Sequence, residues 1–127
     1  MNKFGEPILF IHFEFVFSGI RVSVIAHGDY CDEATSYVIK WIDFGATLPE
    51  ICEFVKSAGR TGGGDGPECY ELVMQRARTS LTWTPGSKRI LILIGDNLPH
   101  EPGYKCMGKT YDIDWRQECD ELRKMVR

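Results

Sequence analysis

The chain has 127 residues, a length that suits a single domain. Hydrophobic residues make up 43% of it and aromatic residues 12%, which is enough for one core and argues against a disordered chain. The formal net charge is -3 and the longest basic cluster is the pair Arg123-Lys124, so a nucleic-acid partner is not expected. The longest apolar stretch, residues 7–17, contains His12 and Glu14 and is too short to cross a bilayer. No small-x-small cleavage site follows that stretch, so we expect neither a membrane segment nor a secretory signal.

Five cysteines are spread along the chain without a CxxC pair: Cys31, Cys52, Cys69, Cys106 and Cys119. A disulfide framework favours an even number of cysteines, and a zinc site favours ligands that are paired in sequence. The cysteines therefore predict reduced, mostly buried thiols and a cytoplasmic location.

The first part of the chain predicts three strands. In residues 8–17, apolar side chains alternate with His12 and Glu14, which indicates a strand. Ser18-Gly19 predicts a tight turn into a second strand, residues 20–27. The polar residues 28–35 predict a loop, and residues 37–44 predict a third strand that pairs with the second.

Two helices are predicted next, separated by a glycine-rich loop. Thr47 and Glu50 have the spacing of a capping box, and Gly59 ends the first helix. The second helix begins at Pro67, and its apolar stripe ends at Leu81.

The second half of the chain predicts an α/β layered sheet. Residues 90–94 are apolar without alternation, which is typical of a central parallel strand that helices cover on both faces. A long loop, residues 95–112, then leads to a last helix with Asp114 as its N-cap. Helices therefore flank a buried strand.

Two segments could carry chemistry: residues 61–68 and residues 95–100. Ligands of open α/β sheets bind beyond the carboxyl ends of the strands, which is where Asp96 is expected. Asp65 either caps the second helix with Glu68 or binds a cation, and the sequence leaves both roles open. Two carboxylates at one sheet edge indicate a divalent cation such as magnesium. A phosphate-binding loop is disfavoured because Pro67-Glu68 stand where a lysine and a hydroxyl residue are required.

The run TGGGDGPECYEL, Trp83, the strand RILILIGD and the sequence LPHE occur in this order. Together they resemble a von Willebrand factor A-type domain, of the branch with a Gly-Gly-Gly-Asp-x-Pro-Glu loop. The segments RVSVIAHGDYCD and YVIKWIDF fit the second and third strands of that domain. The resemblance covers residues 20–127, and residues 1–19 are expected to be a divergent strand of the same single domain.

The resemblance implies a three-layer Rossmann-like doubly wound sheet with a metal-ion-dependent adhesion site. Such a domain is a non-enzymatic module in which bound magnesium recognises an acidic residue of a protein partner. Asp96 matches the metal ligand of the third loop, and Asp65 stands beside the ligand position of the second. The residues expected near the partner are Gly64, Asp29, Asn97 and His100. The partner and the oligomeric state stay open.

The chain also departs from the family. It contains no Asp-x-Ser-x-Ser sequence, and the last strands of the family are missing, so a fragment, a truncated product or a divergent member is expected. Two alternatives remain open. One is a magnesium-dependent hydrolase using Asp65, Asp96 and His100, with Asp29 as the third acidic ligand; the other is a structural remnant in which Asp65 only caps its helix. An enzyme should show a closed pocket, and a binding module an exposed rim around Asp96.

Overall fold

The computed structural model describes residues 19–62 and 66–126. The predicted strand of residues 8–17, together with Gly64 and Asp65, lies outside the described residues. The described elements are, in chain order, β1 (Val24–His27), a 3-10 helix (Tyr30–Ala34), β2 (Ile39–Ile42), α1 (Leu48–Ser57), α2 (Tyr70–Thr79), β3 (Tyr104–Cys106), β4 (Lys109–Tyr111) and α3 (Trp115–Met125). The described part is a small mixed α/β fold.

The predicted pairing of the second and third strands is confirmed. β1 and β2 are antiparallel, with Val24 opposite Ile42 and His27 opposite Ile39. Both strands are shorter than predicted. The loop predicted between them contains the 3-10 helix, which begins where the backbone N–H of Asp29 donates to Oδ2 of Asp32 at 2.8 Å.

Local capping signals locate the helices well. Thr47 and Glu50 form the predicted capping box at the start of α1, and Gly59 follows the helix with a φ of 76°. Asp114 caps α3 as predicted, accepting a hydrogen bond from the N–H of Arg116 at 2.9 Å. α2 is shorter than predicted because it begins at Tyr70 rather than at Pro67.

α2 lies at the centre of the packing and contacts two apolar clusters. One cluster contains Tyr30, Cys69, Leu72 and Cys106. The other contains Met74, Ala77 and Leu122, with Ile25, Leu91, Trp115 and Cys119 against it. Arg78 of α2 joins α3 through two hydrogen bonds to Glu118, at 2.8 and 2.9 Å. Trp115, Cys119 and Leu122 of α3 thus face the second cluster, whereas Val126, which follows the helix, is exposed.

The predicted central strand is not formed among the described residues. Residues 89–94 form no ladder with any described residue, and both described sheets are two-stranded and antiparallel. Leu91 packs on the second cluster, but its neighbours Ile90 and Ile92 are 69% and 76% exposed. The apolar composition predicted a buried strand, but burial also needs neighbouring strands, which the described residues do not supply.

The long loop after residue 94 contains an element that the sequence patterns did not reveal. β3 and β4 form a short antiparallel hairpin with Tyr104 opposite Tyr111. A disulfide joins Cys106 of this hairpin to Cys31 in the 3-10 helix, so the expectation of five reduced thiols is wrong. The cysteines therefore no longer support a cytoplasmic location, because disulfides persist mainly in oxidising compartments.

None of the helices in the described part of the chain combines the length and the apolar character needed to cross a bilayer.

Candidate functional site

Residues 95–98, which we call the rim, run directly after the apolar segment and turn over the start of α2. The backbone N–H of Glu68 donates to the carbonyl of Leu98 at 2.8 Å, and the N–H of Asn97 donates to the hydroxyl of Tyr70 at 3.3 Å. Gly95 lies against the Tyr70 ring so closely that a Cβ atom there would collide with the hydroxyl. The rim therefore has a fixed backbone although its side chains are exposed.

The predicted residues Asp96 and Asn97 both present exposed side chains on the rim. Leu98, which sequence reasoning did not select, is 72% exposed beside them. A carboxylate, a carboxamide and an aliphatic side chain thus share one short exposed segment.

Asp29 and His100, predicted to lie near a partner, are instead buried against each other. Nε2 of His100 lies 2.7 Å from Oδ1 of Asp29, and neither side chain is more than 2% exposed. The other oxygen of Asp29, Oδ2, is buried without a hydrogen-bond partner among the described residues. The ring of His100 stacks on Tyr104, with the centroids 3.6 Å apart. Both side chains are therefore largely withdrawn from solvent and engaged with each other.

Glu71 extends this buried network from α2. Its Oε1 accepts a hydrogen bond from the hydroxyl of Tyr30 at 2.7 Å, and its Oε2 accepts one from the backbone N–H of His100 at 3.1 Å. Burial raises the pKa of Glu71, although hydrogen bonds, first of all that from Tyr30, oppose the effect. Burial and the neighbouring Glu71 likewise raise the pKa of Tyr30, which stays a phenol that donates its proton. Glu71 therefore connects α2 both to the 3-10 helix and to the segment that follows the rim.

A second set of contacts fixes the loop at the end of β1. Oδ1 of Asp32 accepts a hydrogen bond from the N–H of Gly62 at 3.0 Å, and Sγ of Cys69 donates to the carbonyl of Gly28 at 3.0 Å. Gly28 has no room for a side chain, because a Cβ atom would lie 2.6 Å from the carbonyl oxygen of Tyr37. Burial raises the pKa of Cys69, which keeps the sulfur a thiol and makes it a poor nucleophile.

Sequence reasoning missed Tyr30, Glu71 and Asp32. The available signal was the polar cluster of residues 27–32 directly after an apolar strand, together with an acidic residue, Glu71, between the apolar residues Tyr70 and Leu72 of α2. Both signals indicate buried polar contacts only once the long-range partner is known.

The surroundings of the rim are acidic. Burial raises the pKa of Glu68, and the charge of Asp29 raises it further. Asp32 and Asp96 add to the increase, and His27 opposes it. The carboxylates of Asp29, Asp32 and Asp96 therefore all lie near enough to Glu68 to disfavour its charged form.

An open cleft of about 580 Å³ adjoins the rim. Its lining is mostly apolar and comes from Pro67, Leu98, Pro99, His100, Glu101, Pro102, Gly103, Tyr104 and Trp115. One wall is fixed by Glu101, which accepts hydrogen bonds from the indole of Trp115 and from the guanidinium of Arg116. Leu98 belongs to both rim and cleft, so the two form one continuous surface.

Within residues 19–62 and 66–126, no three acidic, histidine or cysteine side chains come together in a group that could hold a metal ion. Asp96 is exposed, and Asp29 is already engaged by His100. Asp65, the second predicted ligand, and Gly64 lie outside the described residues. The described residues alone therefore do not fit a complete magnesium site.

Comparisons with family models, curated proteins and solved structures returned no match to this chain. The resemblance to the von Willebrand A type therefore rests on the sequence motifs alone.

Proposed function

We propose that this chain is a non-enzymatic protein-binding module of von Willebrand A type, with a three-layer α/β sheet, whose binding surface is the rim and the adjoining cleft. The observation that carries the proposal is the contrast between the exposed side chains of residues 96–98 and the rigid backbone below them. A partner meets a preorganised surface, so little conformational entropy is lost on binding.

The side chains of the rim and cleft suit a protein partner. Leu98, Tyr104 and Trp115 supply apolar and aromatic area, and Asp96 supplies a charge at the edge. Apolar anchors surrounded by polar groups are typical of protein interfaces.

The alternative of a hydrolase has less support from the geometry. A general base must reach the substrate, but the side chain of His100 is 2% exposed and its Nε2 is occupied by Asp29. The cleft is open, and two of the polar groups that line it, those of Glu101 and Trp115, are bonded to each other.

Magnesium is a separate part of the proposal. Asp96 is available as one oxygen ligand, but the described residues do not complete a site. The apolar contacts of the rim and cleft therefore contribute to recognition whether or not an ion is bound. In the family such an ion lacks one ligand, which a carboxylate of the partner completes.

Calorimetric titration with magnesium and then manganese tests the cation. Saturable binding that is lost in Asp96→Ala but kept in Asp120→Ala, an exposed aspartate on α3, would support a working cation site. An absence of binding at millimolar metal would remove the cation from the proposal and leave the rim to be tested alone.

A displayed peptide library tests the rim itself. Peptides selected on the chain in millimolar magnesium should lose binding to Asp96→Ala and to Leu98→Asp, and should keep it with Asp120→Ala. Repeating the selection in the presence of a chelator separates the role of the rim from the role of the cation. Peptides that still bind there, and still need Asp96, would support the rim as the binding surface and contradict a role for the cation. Selected peptides that bind all three variants equally would contradict the rim as the binding surface.

A further inference from the structure

Two aromatic rings of the cleft are held in place by neighbouring side chains. The ring of Tyr104 stacks on that of His100, with the centroids 3.6 Å apart. The indole N–H of Trp115 donates to Oε1 of Glu101 at 3.2 Å, and the guanidinium carbon of Arg116 lies 4.4 Å from the ring centroid. Rings that are already ordered offer apolar area to a partner side chain at little further cost in side-chain entropy.

The charged groups around the cleft are mainly acidic in the described part of the chain. Asp96 is exposed on the rim. Burial is the main cause that raises the pKa of Glu68, and the charge of Asp96 adds to the increase, so the two carboxylates lie near each other. Arg116 is offset by Glu101, to which it donates at 2.7 Å. Lys105 of β3 is exposed but does not line the cleft. This end of the fold therefore attracts positive charge.

The acidic part and the apolar part of this surface meet at Leu98. This side chain is 72% exposed on the rim and also lines the cleft. Asp96 stands two positions before it, so their Cα atoms are at most about 7 Å apart. An extended partner chain advances about 3.3 Å per residue, so residues that reach both parts should be about one to three positions apart.

We infer that the rim and cleft bind an extended segment of a partner protein in which an arginine or lysine meets Asp96 and a nearby apolar or aromatic side chain fills the cleft. This inference rests on the proposed binding function and deepens it by naming the chemistry of the partner. The basic residue is attracted by the carboxylates, and its neighbour packs on Leu98, Tyr104 and Trp115. An acidic segment would meet like charge at the rim and would need a cation to bridge the two.

Selection of a displayed random-peptide library on the full chain, in the presence of a chelator, tests the inference. Peptides that bind wild type and lose binding to Leu98→Ser, which changes no charge, bind at the rim. These peptides should carry an arginine or lysine about one to three positions from an apolar or aromatic residue, and their affinity should fall as the salt concentration rises.

The outcome separates this inference from the proposed function. Rim-binding peptides that are enriched in aspartate or glutamate, or that contain no basic residue, would overturn the inference and leave the proposed function standing. Selected peptides that bind Leu98→Ser as well as wild type would contradict the proposed function and the inference with it, and so would a library that yields no binding peptide.

A charge exchange with one selected peptide gives a second readout. Asp96→Lys should weaken its binding at least about tenfold at low salt. Asp120→Lys, which makes the same change of net charge at an exposed position on α3, should change it less than about twofold. Replacing the basic residue of the peptide by glutamate should restore binding to Asp96→Lys. If the exchanged peptide binds Asp96→Lys no better than the original peptide does, Asp96 is not the contact and the inference is overturned.

Discussion

At the scale of single residues, the buried pair of Asp29 and His100 joins parts of the chain that are 71 residues apart. One carboxylate oxygen of Asp29 contacts the imidazole of His100. This contact ties the loop after β1 to the segment that follows the rim. Removing the carboxylate leaves the buried ring nitrogen of His100 without this hydrogen-bond partner, and an unsatisfied buried polar group costs free energy.

We therefore expect Asp29→Ala to lower the free energy of unfolding by about 1–3 kcal/mol. Asp120→Ala, which removes a carboxylate from an exposed ion pair on α3, should change it by less than about 0.5 kcal/mol. Urea denaturation of both variants checks this expectation. Equal effects of the two substitutions would show that the buried pair does not hold the fold.

Glu68 provides a prediction about pH. Burial and then the charge of Asp29 raise its pKa in the folded state above the ordinary value, with smaller contributions from Asp32 and Asp96 and opposition from His27. The folded state therefore binds the proton more tightly than the unfolded state. Its contribution to stability is complete below the ordinary pKa of a glutamate and is lost as pH rises through the folded pKa.

Glu68→Gln should thus be more stable than the wild type at pH 7 and should lose this advantage near pH 3. Glu121→Gln is the matched control: it changes an exposed glutamate whose pKa is lowered by a hydrogen bond from Lys124, so it should give no gain at pH 7. Thermal unfolding across this pH range measures both variants. An advantage of Glu68→Gln that is constant with pH would contradict the electrostatic explanation.

At the scale of elements, the disulfide between Cys31 and Cys106 attaches the β3–β4 hairpin to the 3-10 helix. The two cysteines are 75 residues apart in the sequence. In the chain-entropy model, a cross-link of that span lowers the entropy of the unfolded chain and so stabilises the fold by roughly 4 kcal/mol. The hairpin strands have three residues each and depend on this attachment.

Replacing both Cys31 and Cys106 by serine should lower the free energy of unfolding by about 2–4 kcal/mol. Cys52→Ser, which changes an exposed free thiol on α1, should leave it within about 0.5 kcal/mol. A thiol assay on the denatured, unreduced chain gives an independent check. Three titratable thiols would agree with the structure, which leaves Cys52, Cys69 and Cys119 free, and five would contradict it.

The elements that sequence predicts well are those fixed by local contacts. The capping box of Thr47 and Glu50 and the cap at Asp114 bond residues within the same helical turn, so their spacing was sufficient to place two helix starts. The same holds for the β1–β2 hairpin, where two short β-rich segments lie close together in the chain.

Other features depend on partners that are distant in sequence. Residues 90–94 have the composition of a buried strand, but their burial requires a neighbouring strand that no local pattern specifies. Asp29 and His100 look like surface residues of loops, and only their contact across 71 residues makes them buried. The exposed residues Asp96 and Asn97 could therefore be named from the sequence, but the buried contacts beneath them could not.

At the scale of the whole molecule, one end of the fold combines an exposed acidic rim, an apolar cleft and a rigid buried network. The network of Asp29, His100, Glu71 and Tyr30 holds the backbone at this end, and the rim and cleft form the surface at which we propose that a partner binds. Binding residues are often found on exposed loops that a rigid scaffold holds in position.

The most direct test of this account is to map chemical shifts of the isotope-labelled chain during titration with a peptide selected from the displayed library. We expect the perturbed amides to cluster at residues 95–98 and along the cleft, and we expect the perturbations to disappear in Asp96→Ala. Perturbations confined to the separate cleft lined by Val38, Gln75 and Lys109, with the rim unchanged, would contradict the assignment of the rim as the binding surface.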